Sequence, residues 1–135
     1  MRALVVDDDF TSCRLIQKIL LPYGDCDSAI NGKEAVEAFQ RAWEKGRPYD
    51  LICLDIMMPE MDGQEALRQI RAAEDLMNIP ALEGAKIIMT TALSDWEHVW
   101  AAFKSQCDGY IVKPYDKRKI LDELKSLNLL ESQTP

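Results

Sequence analysis

Five polar residues stand where short apolar runs end. Asp7 and Asp8 follow residues 3–6, Asp55 follows residues 51–54, Thr91 closes the run that begins at Ile87, and Lys113 follows residues 110–112. Three carboxylates brought to one place repel unless they are protonated or neutralised by a cation. Hard oxygen ligands suit magnesium, which usually takes one or two carboxylates together with a phosphate oxygen. A site of that kind polarises a phosphoryl group and neutralises the charge that develops as it is transferred. A lysine ammonium and a threonine hydroxyl can hold the remaining phosphoryl oxygens. One of the carboxylates can serve as the nucleophile, giving an acyl phosphate. The chemistry on offer is phosphoryl transfer to an aspartate.

A sheet is what must bring these residues together. Residues 3–6, 51–54, 87–89 and 110–112 read as buried strands, and residues 26–29 as a weaker strand polar enough for a sheet edge. Helical spacing links Leu15, Ile16, Ile19 and Leu20, then Ala35, Val36, Phe39 and Trp43, then Leu67 and Ile70. It returns in Trp96, Val99, Trp100 and Phe103, and in Ile120, Leu121, Leu124 and Leu127. Asp9 or Thr11 can cap the first helix, and Ser94 with Glu97 has the spacing of a capping box for the fourth. Residues 75–84 contain Pro80 and lack a clean period, so they read as an extended loop. Five strand–helix units in strict alternation predict an α/β fold with a parallel sheet and helices on both faces. The carboxyl ends of parallel strands lie along one edge, where such folds bind ligands. Thr90 and Thr91 point to opposite sides of their strand, so one of them faces the site, and Thr91 is the candidate.

Bulk properties narrow the function further. With 135 residues and 47% hydrophobic composition, one domain with one core is expected. Sixteen basic against 23 acidic residues give a net charge of −7, which disfavours direct nucleic-acid binding or attachment to an anionic membrane. No apolar run approaches the roughly 20 residues that span a bilayer, and the short run at the start meets Asp7 at once, unlike a signal peptide. A cytoplasmic protein is expected. Cys13, Cys26, Cys53 and Cys107 show no metal-ligand spacing and, with His98 the single histidine, read as reduced structural thiols. Asp9 and Asp62 read as helix caps, and Lys117, Arg118 and Lys119 as the solvated start of the last helix.

In this order, Val6-Asp7-Asp8, the run from Asp55 through Pro59 to Asp62-Gly63, Thr91-Ala92 and Gly109-Tyr110-Ile111-Val112-Lys113-Pro114 form a specific combination. The chain resembles the receiver domains of bacterial two-component response regulators, from Ala3 to about Leu127. The resemblance implies a flavodoxin-like doubly wound fold with strand order 2-1-3-4-5 and five helices. Residues 1–128 would be the receiver domain and 129–135 a C-terminal tail, with no output domain, so a stand-alone regulator is expected. Asp55 would be the phosphoacceptor, taking its phosphoryl group from a phosphohistidine on a sensor histidine kinase or histidine phosphotransfer protein. Asp8, Asp55 and the backbone carbonyl of Met57 would ligate Mg2+, with Asp7 acting through water. Lys113 would contact the phosphoryl group, and its bond to Pro114 would be cis. Thr91 would swing toward the phosphoryl group and Tyr110 would turn inward with it. That move would remodel the face of the fourth helix, fifth strand and fifth helix, which a downstream protein reads. The protein would be a monomer or a phosphorylation-dependent dimer, and a self-catalysing switch rather than an enzyme acting on other substrates.

Two positions depart from members of the family with short-lived phosphates. Met57 and Leu93 are apolar where those members carry polar groups that orient water, so a longer-lived phosphate is expected. A dehalogenase-like phosphatase would need a second acid at Met57, and a nucleotide binder would not place Asp7-Asp8-Asp9 against a phosphate. A receiver-like module that signals without phosphate is the remaining rival. The aromatic stripe of Trp96, Trp100 and Phe103 is either core or a partner surface.

Overall fold

Strand β3, Leu51–Asp55, is buried along its whole length because its run of apolar residues leaves no face for water. It pairs in parallel with β1, Arg2–Val6, on one side and β4, Lys86–Thr91, on the other. Beyond these lie β2, Asp25–Ala29, and β5, Gly109–Val112, completing a five-stranded sheet in the order β2-β1-β3-β4-β5. The sequence expectation of that order and of all-parallel pairing holds. The computed structural model describes residues 1–56, 58, 61–80, 83–91, 107–114 and 116–130. The expected fourth helix with Ser94, Trp96, His98, Trp100 and Phe103 lies outside these residues, as do Met57, Leu93 and residues 131–135.

Four α-helices are present among the described residues: α1, Phe10–Leu20; α2, Gly32–Glu44; α3, Gly63–Leu76; and α4, Lys117–Ser126, which is the helix expected after Lys113-Pro114. Side-chain alternation along the strands sorts the core into two halves. Leu4, Val6, Ile52, Leu54, Ile87 and Met89 pack with Phe39 of α2 and Leu67 of α3. Ala3, Val5, Leu51, Cys53, Ile88 and Ile111 pack with Ile16 of α1 and Leu124 of α4. The two layers are those of a doubly wound sheet.

Each helix begins on a short polar side chain. Asp9, Asn31, Asp62 and Asp116 accept from the backbone N–H groups of Thr11, Glu34, Glu65 and Lys119 at 3.2, 2.8, 2.9 and 2.9 Å. Asp9 also accepts from the Ser12 hydroxyl at 2.8 Å, which makes it the cap of α1 rather than Thr11. The buried stripe of α1 is Cys13, Ile16, Ile19 and Leu20; Leu15, expected in it, is 42% exposed because it falls one residue outside the arc that meets the sheet. Helix α3 runs on to Leu76, past the expected loop start at Asp75. Its continuation is held by Glu74, a buried acid the apolar period did not single out. The Glu74 carboxylate accepts from the Ala85 N–H at 2.8 Å and from Arg71 at 2.7 Å. Arg71 also donates to the Ala85 carbonyl at 2.9 Å and to Asp108 at 2.7 Å, and Asp108 accepts from the Ile87 N–H at 2.8 Å. One guanidinium thus ties α3 to the first residues of β4 and to the entrance of β5.

The four thiols are unpaired, and burial, with the neighbouring Cys26 and Cys13, pushes the Cys53 thiol up to about 12. They behave as small apolar groups, as expected. On the outer side of the sheet, Tyr49 donates to Asp27 at 2.7 Å, and burial and that bond push its phenol up to about 12.

Two stability measurements follow. Arg71→Leu leaves the buried Glu74 carboxylate without its cation, and should cost about 3 kcal/mol in urea unfolding. For Tyr49, the folded-state pKa lies above the ordinary value of 10, so its contribution is fully present below pH 10 and is lost as pH rises toward 12. Comparing the pH dependence of unfolding for wild type and Tyr49→Phe should show the wild type losing more stability across that window.

Candidate metal and phosphoryl-acceptor site

Successive strands deliver one group each to the carboxyl edge of the sheet. The β1–β3 register pairs Val5 with Cys53, so Asp7 comes level with Asp55 two residues further on. Asp7 and Asp55 are 2% and 5% exposed, whereas Asp8, past the end of β1, is exposed. One carboxylate oxygen from each of Asp7, Asp8 and Asp55 lies within 4.8 Å of the others. The three acids singled out in the sequence do converge.

Lys113 is the cation that meets them. Its Nζ lies 3.4 Å from Asp7 Oδ2 and 3.4 Å from Asp55 Oδ2. Burial works against the lysine's charge, but the charges of Asp55 and Asp7, and hydrogen bonds to both, outweigh it and raise the pKa above its ordinary value. The ammonium is therefore held charged at neutral pH. The other oxygen of Asp7 accepts from the Asp9 N–H at 2.8 Å, a backbone contact that orients the carboxylate and that no residue type could announce. The Lys113–Pro114 peptide is cis, as the resemblance implies.

Helix α3 closes the site from the other side. Its Asp62 cap and Gly63 start bring backbone against backbone: Gly63 N–H donates to the Ile56 carbonyl at 2.9 Å, and a Cβ at Gly63 would stand 2.2 Å from the Asp55 carbonyl oxygen. Glycine is required there by proximity, not by an unusual φ. A small cleft of about 110 Å3 opens beside the acids, lined by Asp7, Asp8, Phe10, Cys13, Ser28 and Ile30 among others. Phe10 and Ile30 are 73% and 60% exposed at its rim.

The two threonines are split between the faces of the sheet. Asp55 pairs with Thr90, and Thr91 pairs with Val112. By alternation, Thr90 shares the face of Asp7, Asp55 and Lys113. Thr91 shares the opposite face with Met89 and with Tyr110, which is half-buried against that core. The Thr91 carbonyl accepts from the Lys113 N–H at 2.7 Å, so its backbone supports the lysine. Sequence reasoning weighed Thr90 against Thr91 and chose Thr91; both are buried at the end of β4, each 2% exposed. Met57 lies outside the described residues.

A parallel sheet in this order with acids and a lysine at its carboxyl edge defines a class, and the comparisons agree with it. The family model for the response regulator receiver domain matches residues 3–125. The chain belongs to this family. Among its relatives, the regulatory protein VanRB of Enterococcus faecalis is 34% identical over 128 residues, covering 94% of this chain and 52% of that protein. The chain thus spans about half the length of that relative. The chemotaxis protein CheY of Treponema pallidum is 35% identical over 128 residues, covering 93% of this chain and 81% of that protein. Among solved structures, the CheX–CheY–BeF3–Mg2+ complex from Borrelia burgdorferi contains a similar chain at TM-score 0.78 and 27% identity, covering 95% of this chain and 89% of that one.

Removing the ammonium tests how the acids are held. Lys113→Met should lower stability at pH 7 by about 2 kcal/mol, since two buried carboxylates lose their shared cation. The wild-type lysine's contribution is complete below about pH 10.5 and is lost as pH rises through its raised folded-state value, so the gap to the variant should close in strong alkali. Urea unfolding of both proteins at pH 7 and above pH 11 reads this directly.

Proposed function

We propose that the chain is a magnesium-dependent phosphoacceptor switch whose acceptor is Asp55. The observation that carries the reading is the convergence of three carboxylates within 4.8 Å on a lysine whose ammonium touches two of them. The donor set fits a hard divalent ion: acidic oxygens from Asp8 and Asp55, with Asp7 beside them, and no sulfur or imidazole among the converging groups. Asp8 and Asp55 would hold the ion directly and Asp7 through water, joined by the Met57 carbonyl that the family resemblance adds. When bound, Mg2+ would neutralise charge on the transferring phosphoryl oxygens.

The chain's own residues do the rest. A carboxylate oxygen of Asp55 attacks the phosphorus of a phosphohistidine; the new O–P bond forms as the N–P bond breaks, and the imidazole nitrogen keeps the electron pair. Lys113 holds a phosphoryl oxygen as the charge moves outward from the carboxylate. Asp7, fixed by the Asp9 N–H, keeps the acid pair in place. The donor is a sensor histidine kinase or a histidine phosphotransfer protein, approaching over the apolar rim of Phe10 and Ile30 beside the acids. Output runs through Thr91 and Tyr110 on the neighbouring strands β4 and β5, Tyr110 pairing with Met89 two residues before Thr91. Phosphorylation biases their positions and so the surface around β5 that a downstream protein reads. None of the described helices is long and apolar enough to cross a membrane.

Intact mass after incubation with acetyl phosphate checks the reading. Wild type with Mg2+ should gain one phosphoryl group; wild type without Mg2+ and Asp55→Asn with it should gain none. A folded wild type that takes no phosphate, while Mg2+ still raises its melting temperature, would favour an interaction module that signals without phosphate.

A further inference from the structure

Resting on that reading of Asp55 and its ion, we propose that Gly32, the first residue of α2, is a positioning residue of the site: its missing side chain lets the loop after Asp55 close against α2, and so sets the hold of the acids on Mg2+. The Gly32 N–H donates to the Met61 carbonyl at 3.1 Å. A Cβ at Gly32 would stand 2.5 Å from that same oxygen, 2.9 Å from Met61 Cγ and 3.1 Å from the Asp62 carbonyl oxygen. Gly32 is buried and its φ lies outside the left-handed region, so neither solvent nor backbone torsion calls for glycine. Any residue but proline would also favour the helix more. Proximity is what calls for it.

The contact matters because the segment it touches has little room to retreat. Met61 packs on the core half that holds Phe39, the Asp62 carboxylate caps α3, and Gly63 donates to the Ile56 carbonyl at 2.9 Å. Ile56 in turn donates to the Thr90 carbonyl at 3.1 Å. On the other side, α2 is fixed where it starts. Asn31, 8% exposed, accepts from the Glu34 N–H at 2.8 Å, and the Glu34 carboxylate accepts from the Ile30 N–H at 3.3 Å. The Asp7 N–H donates to the Ala29 carbonyl at 3.1 Å. A line of contacts therefore runs from Asp7 through the end of β2 and the start of α2 to Met61, and by Gly63 back to the Asp55 peptide. Gly32 is the link at which α2 meets that loop backbone to backbone. A methyl group there acts as a wedge: Met61 and Asp62 must shift, carrying Gly63 off the Asp55 peptide. Groups that orient metal ligands in this indirect way govern affinity strongly.

Calorimetric titration with MgCl2 compares wild type, Gly32→Ala, Asn31→Ala and Arg71→Leu, each first checked for a cooperative melting transition. Gly32→Ala should bind Mg2+ about tenfold more weakly than wild type. Asn31→Ala loosens the first turn of α2 without a clash and should bind roughly threefold more weakly; it decides the matter if Gly32→Ala does not fold. Arg71→Leu lowers stability at the far edge of the sheet and should stay within about twofold of wild type. Wild-type affinity in a folded Gly32→Ala overturns the proposal, as does wild-type affinity in Asn31→Ala where Gly32→Ala does not fold. Equal weakening in Arg71→Leu overturns it too, since general loosening would then explain every variant. A wild type that binds no Mg2+, or takes no phosphate from acetyl phosphate, would instead strike at the phosphoacceptor reading itself, and the inference would fall with it.

Discussion

Two carboxylates buried side by side are unstable neighbours, and much of this structure follows from keeping them there. Asp7 and Asp55 end adjacent strands at the same level, with Asp8 just outside. The offsetting charge does not come from a neighbouring strand but from β5, two strands away from β3, by way of the Lys113 side chain. That span is possible because lysine carries a compact charge on a long flexible stem. An arginine would bring a wider, planar group into the same gap. Among the described residues three acids converge on one lysine, an excess of negative charge of the kind that a bound cation offsets.

The rest of the molecule supplies rigidity to that edge. Both faces of β3 are covered, so Asp55 is presented by a strand buried at every residue. Backbone contact at Gly63 presses α3 against the Asp55 peptide, and the Asp9 N–H fixes one oxygen of Asp7. At the opposite edge, the Arg71 network fastens α3 to the entrances of β4 and β5. The strands that carry Thr90, Thr91 and Lys113 are thereby pinned where they start and loaded with chemistry where they end.

Much of this was legible in the sequence because the signals were of kinds that one dimension preserves. Apolar runs ending in acids gave the strands and the site edge, and Asp9 and Asp62 are caps as their residue types suggested. What was hidden depends on pairs. The Glu74–Arg71–Asp108 network joins residues 37 apart, so the end of α3 could not be read from local periodicity. Leu15 satisfied a helical stripe in sequence, yet the angle at which α1 meets the sheet leaves it exposed. Which of Thr90 and Thr91 pairs with Asp55 is a matter of register, and a shift of one residue would exchange their faces.

The polar composition of β2 has a consequence for the molecule among its own copies. An open parallel sheet ends in strands whose outer backbone groups could pair with another chain. On the β2 side, Asp25 and Asp27 are charged residues, engaged by Arg2 and Arg47 in ion pairs of 3.1 to 3.9 Å. A second strand arriving there must dislodge those arginines and bury acids, so lateral growth of the sheet is opposed on that flank. The β2 flank thus carries its own guard against edge-to-edge pairing, written in the same acids and arginines that make it the most polar strand of the sheet.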